Sequence, residues 1–175
     1  NAIDVNWFLF TAMNIENLNE KDIKKGNLIL PNNLILKGTL ENNLLNGYGE
    51  LNLNNKFVYK GNFKDGYFEN QGVLTLYDNW GDLISKRVGL FNEGSFIEGD
   101  VEENIKNRNL KDLTGYTFKG KIKDGKYNGY GKLNNNQYDI SFEGNFKNNW
   151  PSYGKEIYLY YDYEGEFKYF IPHGK

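Results

Sequence analysis

Tyr59-Lys60-Gly61-Asn62-Phe63-Lys64-Asp65-Gly66 decides the fold. Ring, glycine and ring stand two residues apart, the period at which side chains alternate across a β-strand, while Lys60, Asn62 and Lys64 fall on the other face. Asp65-Gly66 follows directly, and Gly tolerates the positive φ that a tight hairpin turn needs. The phrase recurs as Leu36-Lys37-Gly38-Thr39-Leu40, Phe118-Lys119-Gly120-Lys121-Ile122 and Phe142-Glu143-Gly144-Asn145-Phe146. Two looser copies are Val88-Gly89-Leu90-Phe91 and Tyr163-Glu164-Gly165-Glu166-Phe167. A self-similar sequence of this kind is one small unit stacked many times.

With each central glycine set as position zero, the anchors Gly38, Gly61, Gly89, Gly120, Gly144 and Gly165 are spaced by 23, 28, 31, 24 and 21 residues. A Gly or Asn follows at plus five (Asn43, Gly66, Gly94, Gly125, Asn149), and a second Gly at plus eleven or plus ten (Gly49, Gly72, Gly99, Gly131, Gly154). Each copy therefore reads as a β-hairpin with a tight return. The copies whose second glycine comes early, Gly99 and Gly154, are expected to be locally distorted. A glycine between two rings removes a side chain from the apolar face, so that a ring or backbone can approach closely. The repeat aromatics Tyr59, Phe63, Phe118, Phe142, Phe146, Tyr163 and Phe167 are expected to form the core. Tyr138, Ile140, Phe142, Gly144 and Phe146 would share one strand face. Unbroken alternation through Glu156 to Phe167 would turn Ile157, Leu159 and Tyr161 inward and Tyr158 and Tyr160 outward.

Tyr59 to Leu76 and Phe118 to Leu133 are the best copies, with Gly-x-Gly completed at Gly47/Gly49 and Gly129/Gly131. Aromatic-x-Gly-x-Phe-x-Asp-Gly followed by Gly-x-Gly resembles the MORN repeat, a hairpin unit of about 23 residues, over residues 26–175. Arg87 departs from the pattern, standing where an aromatic is expected. The resemblance implies an all-β fold: an elongated, twisted antiparallel meander of hairpins used as a scaffold, alone or beside catalytic or membrane-associated regions. It supplies no catalytic residue. Residues 1–25 do not match and are read as an irregular cap, with Asn19 to Lys25 a candidate short helix, because repeat arrays need atypical ends. The array over 26–175 ends in an incomplete last hairpin. Two insertions interrupt it, Asp78 to Asp82 and the charged Glu102 to Leu113, the latter expected as a loop.

Composition bounds the chemistry. Acidic and basic residues number 23 and 21 and are interspersed, so nothing in the charge favours nucleic acid or an anionic membrane. The absence of Cys excludes disulfides and thiolate metal sites. No apolar run approaches the roughly 18 residues of a spanning helix. The first residue is Asn, consistent with a removed leader or with a piece of a longer protein, and cytoplasmic and secreted locations both stay open. Asn-rich runs such as Asn134-Asn135-Asn136 read as a compositional bias.

Neither a cofactor nor an enzymatic activity is expected. One histidine, His173, falls eight residues after Gly165, where the resemblance to the MORN repeat implies a structural His before Gly, and Gly-x-Gly here lacks the third glycine and the helix of a dinucleotide loop. Glu102-Glu103 and Asp162/Glu164 read as solvated charges rather than paired acids. The expected function is a non-catalytic scaffold binding a protein segment through an aromatic face or an open sheet edge, self-association included. Tyr158, Tyr160, Trp150 and Trp80 are the candidate contacts, the two tryptophans in turns beside Pro or Gly. The alternatives are an accessory domain of a larger enzyme or surface protein, and a carbohydrate or lipid-headgroup module. The scarcity of Trp, three in all, weighs against the last.

Overall fold

A computed structural model describes residues 27–30, 34–42, 44–105, 115–135, 137–169 and 171–174. The cap at 1–25 and its candidate helix lie outside them. The described residues are almost all strand, in an open antiparallel meander, and form two compact units, up to Ile97 and from Glu98 onward.

The first unit holds β1 (Asn27–Leu30), β2 (Leu34–Glu41), β3 (Leu44–Leu53), β4 (Phe57–Lys64), β5 (Tyr67–Tyr77) and β6 (Leu83–Asn92), paired antiparallel in sequence order. β7 (Ser95–Asn104) begins at its end. In the second unit β7 is followed by β8 (Thr117–Lys123), β9 (Lys126–Asn135), β10 (Ile140–Lys147), β11 (Trp150–Tyr158), β12 (Tyr161–Lys168) and the two-residue β13 (Ile171–Pro172), again in order.

The plus-five rule marks the hairpin turns. Asp65-Gly66 takes φ of 48° and 82°, and Asn148-Asn149 takes 50° and 77°. Two consecutive left-handed residues match the twist of the flanking strands, which explains why the turn is written with Gly, Asn or Asp.

The glycines register with one another. Gly38, Gly49, Gly61, Gly72 and Gly89 stand opposite each other across β2 to β6. Gly120, Gly131, Gly144, Gly154 and Gly165 do the same across β8 to β12. Between β7 and β8 the register slips: Gly120 faces Val101 and Gly99 faces Ile122. Rings lie on these two glycine lanes. A Cβ at Gly72 would sit 2.6 Å from Cε2 and Cζ of Tyr59, and one at Gly131 would sit 2.6 Å from Cζ of Phe118.

Gly-x-Gly is a bulge with its lane glycine. In β4–β5 the pairs Gly61/Gly72 and Phe63/Phe68 leave two extra residues in the second strand, and β8–β9 does the same between Gly120/Gly131 and Ile122/Tyr127. The bulged strand carries a left-handed residue, Gly47, Asn70 or Gly129. In β10–β11 only one extra residue intervenes, so Gly154 comes one residue early yet still meets Gly144. The copy is distorted at the bulge and regular in the lane.

The core is an aromatic lattice with the same period. Tyr59 stacks on Phe68 at 3.7 Å, and Phe118 on Tyr127 at 3.6 Å. Each stack meets the edge of the next copy's plus-two ring, Tyr59 with Phe91 at 5.3 Å and Phe118 with Phe146 at 5.1 Å. Such pairs add about 0.5–1.5 kcal/mol each beyond the area they bury. Tyr59, Phe57, Phe68 and Phe118 are wholly buried, and Phe63, Phe142, Phe146 and Phe167 nearly so. Tyr163 is half-buried.

Three local expectations are corrected. Tyr138 lies in the turn before β10 and is exposed, because Asp139, at φ 52°, ends the return and the strand begins only at Ile140. Residues 102–104 are strand, continuing β7: alternation runs through Val101, Glu103 and Ile105, all buried. The remainder of that insertion lies outside the described residues. Alternation through Glu156 to Phe167 is broken by a two-residue turn at Leu159-Tyr160.

Candidate functional site

That turn reorders the candidate residues. Neither Leu159 nor Tyr160 has positive φ, unlike the Asp-Gly and Asn-Asn turns, so nothing in Leu-Tyr announces a hairpin. The pairing Tyr158/Tyr161, Ile157/Asp162 and Glu156/Tyr163 then fixes the faces. Glu156 also stands opposite Phe142, which is buried, so Glu156 and Tyr158 belong to the aromatic face. Tyr158 was expected on the other face and Ile157 inside. Instead Ile157 is turned outward and exposed, as is Leu159 in the turn. Tyr160 is outward as expected, at the turn's tip and 92% exposed.

Three tyrosines and one carboxylate meet at this end of the second unit. Tyr158 and Tyr161 stack at 5.4 Å with their planes 28° apart. The Tyr161 hydroxyl donates to Oε2 of Glu156 at 3.2 Å. Burial pushes the Glu156 carboxyl above its ordinary value, only partly opposed by that hydrogen bond. Tyr116, which precedes β8, has its phenol pushed up by burial, then by the Tyr158 and Glu156 charges, against a hydrogen bond with Asn135. Among the described residues no Lys or Arg pairs with Glu156. The nearest lysine in sequence, Lys155, points to the opposite face, 3.9 Å from Asp162.

The other candidates are dispersed. Trp80 is 85% exposed on a loop built by Asp78, whose Oδ1 accepts from the backbone N–H groups of Trp80 and Asp82. Trp150 is the first residue of β11 rather than part of the turn, since Asn148-Asn149 completes the return. Its indole meets Tyr169 edge-on at 5.6 Å. His173 is exposed, and its backbone N–H donates to the Glu166 carbonyl at 2.7 Å. β12 is bordered by β13 over only two residue pairs.

Glu103 is buried rather than solvated and accepts the Tyr127 hydroxyl at 2.5 Å. The signal was Val101-x-Glu103-x-Ile105, disguised by a carboxylate in an apolar position. Asp162 and Glu164 are exposed. On the outer face of the first unit a depression of about 580 Å³ is lined by Lys37, Glu50, Asn52, Val58, Lys60 and Thr75. Lys60 and Glu50 stand 3.8 Å apart there, an exposed pair of small energetic consequence. Among the described residues no three His, Asp or Glu side chains converge as a metal site would require, and no helix is long and apolar enough to cross a membrane. No protein-family model matches the sequence, and no curated protein matches it.

Proposed function

We propose that this chain is a non-catalytic scaffold of MORN-like hairpins, and that it binds a segment of a partner protein at the β11–β12 hairpin and along the adjoining edge of β12. The observation that carries the reading is the concentration of exposed apolar and aromatic side chains at that hairpin. Ile157, Tyr158, Leu159, Tyr160 and Tyr161 are each at least 40% exposed, in an uninterrupted run. Clusters of this kind, rich in tyrosine, favour protein interfaces, because a rigid ring offers contact area at low entropic cost. Among the described residues β12 is paired on this side only through its two partners in β13, and the rest of its backbone offers the hydrogen-bonding row that an added strand uses.

Selection of a displayed random-peptide library on the wild-type chain and on a Leu159→Ser/Tyr160→Ala variant tests the reading. Both positions are exposed, so the variant keeps its fold. Peptides that bind wild type and lose at least about tenfold on the variant are expected. Equal binding of every selected peptide to both proteins would overturn the assignment of the hairpin.

A further inference from the structure

Glu156 stands out in the second unit as a half-buried carboxylate on an aromatic face, with tyrosine rings beside it and no cation from the described residues. Taking a carboxylate out of water without a cationic partner costs free energy, and an incoming cation recovers it. The surroundings narrow the kind of cation. Stacked tyrosine rings present negative π-faces, which attract an ammonium within about 6 Å of a ring centroid and cover the methylene stem behind it. Oε2 of Glu156 already accepts the Tyr161 hydroxyl, whereas Oε1 has no donor among the described residues. A single free oxygen suits a point charge with one donor aimed at it. A guanidinium fork would engage both oxygens and share Oε2 with the Tyr161 hydroxyl, a more crowded arrangement than one ammonium on Oε1.

We infer that Glu156, with Tyr158 and Tyr161 as walls and Tyr116 alongside, is a receptor for the alkylammonium side chain of a lysine carried by the partner segment. The inference rests on the proposed binding at the β11–β12 hairpin and names the residue that the segment brings to it. Ion pairing with Oε1 fixes the ammonium, ring contact fixes the stem, and the exposed Leu159-Tyr160 tip receives the flanking residues of the segment.

The test uses the whole chain and n-butylammonium chloride as the lysine side-chain probe, followed by NMR through the Tyr158 and Tyr161 ring protons and the Glu156 carboxyl carbon. Saturable shifts are expected, with affinity lowered at least about tenfold in Glu156→Gln and several-fold in Tyr158→Leu, and with n-butylguanidinium and n-butanol both weaker than n-butylammonium. Unchanged amide spectra away from the site confirm that each variant is folded. Shifts that do not saturate, equal affinity in Glu156→Gln, or guanidinium binding as well as ammonium would each overturn the inference. So would saturable binding that emerges only after the lysines and arginine outside the described residues are replaced by Gln, which would assign the carboxylate to the chain's own cations. Peptides that depend on Leu159 and Tyr160 but show no lysine requirement would leave the hairpin reading standing while removing this one.

Discussion

Replacing Gly72 by Ala tests whether the glycine lane is a bed for the aromatic rings or only a record of backbone flexibility. The new Cβ would sit 2.6 Å from Cε2 and Cζ of Tyr59. Tyr59 cannot retreat: its ring is wholly buried, stacked on Phe68 at 3.7 Å and held edge-on by Phe63 at 5.1 Å and Phe91 at 5.3 Å. Overpacking of this kind costs about 1–3 kcal/mol. Displacing the ring also strains the hydrogen bond that its hydroxyl donates to the Asn62 carbonyl at 2.7 Å, about 1 kcal/mol more. Reduced freedom of the unfolded chain returns about 0.5–1 kcal/mol, leaving a net loss of about 1–3.5 kcal/mol, centred near 2. Gly81→Ala is the control in the same unit. Its Cβ meets nothing within 4 Å and only the φ of 87° resists it, for a loss of about 1 kcal/mol. Urea titrations followed by near-ultraviolet circular dichroism measure both. In a Tyr59→Leu background, Gly72→Ala should become nearly neutral, a coupling of about 2 kcal/mol. Equal losses for Gly72→Ala and Gly81→Ala, or no coupling to Tyr59, would refute the reasoning.

Three further outcomes are expected. Tyr127→Phe removes the hydroxyl from buried Glu103 and should cost about 2 kcal/mol in urea unfolding of the second unit, whereas Tyr153→Phe, on an exposed ring, should change it by less than about 0.5 kcal/mol. Burial raises the Tyr59 phenol well above its ordinary 10.0, so its contribution is complete below pH 10 and is lost as pH climbs toward the folded-state value. Thermal melts should therefore fall more steeply above pH 10 in wild type than in Tyr59→Phe. Glu156 also has its folded-state value raised, from an ordinary 4.5, so its contribution is full below that pH and lost as pH rises through the raised value. Melts of Glu156→Gln should thus gain on wild type as pH rises above that ordinary value, and a flat difference would speak against a carboxylate held away from water.

The lattice was legible in the sequence because every part of it is local and repeated. Ring, glycine and ring at period two fix a strand and its buried face, and a plus-five Gly or Asn fixes the turn. What the sequence did not disclose depends on residues outside the phrase. Leu159-Tyr160 turns the chain with neither glycine nor asparagine, so alternation seemed to run straight through it and the faces of Ile157 and Tyr158 were exchanged. Glu103 is buried because β7 carries Val101 and Ile105 on either side of it. A carboxylate in that position reads as surface until its partner, Tyr127, is found 24 residues away. Glu156 faces the rings for a similar reason, since register with Phe142 rather than its own chemistry sets its side.

The interlocking of neighbouring copies governs how this chain can change its length. A minus-two ring rests on the glycine of its own strand and of the next, and it meets the plus-two ring of the following copy. Losing or gaining a whole hairpin leaves each ring a glycine to lie on and an edge to touch. Losing a single strand brings two unmatched faces together and sets side chains where rings need bare backbone. Growth and contraction are thereby confined to complete hairpins, and the array inherits length in steps of two strands.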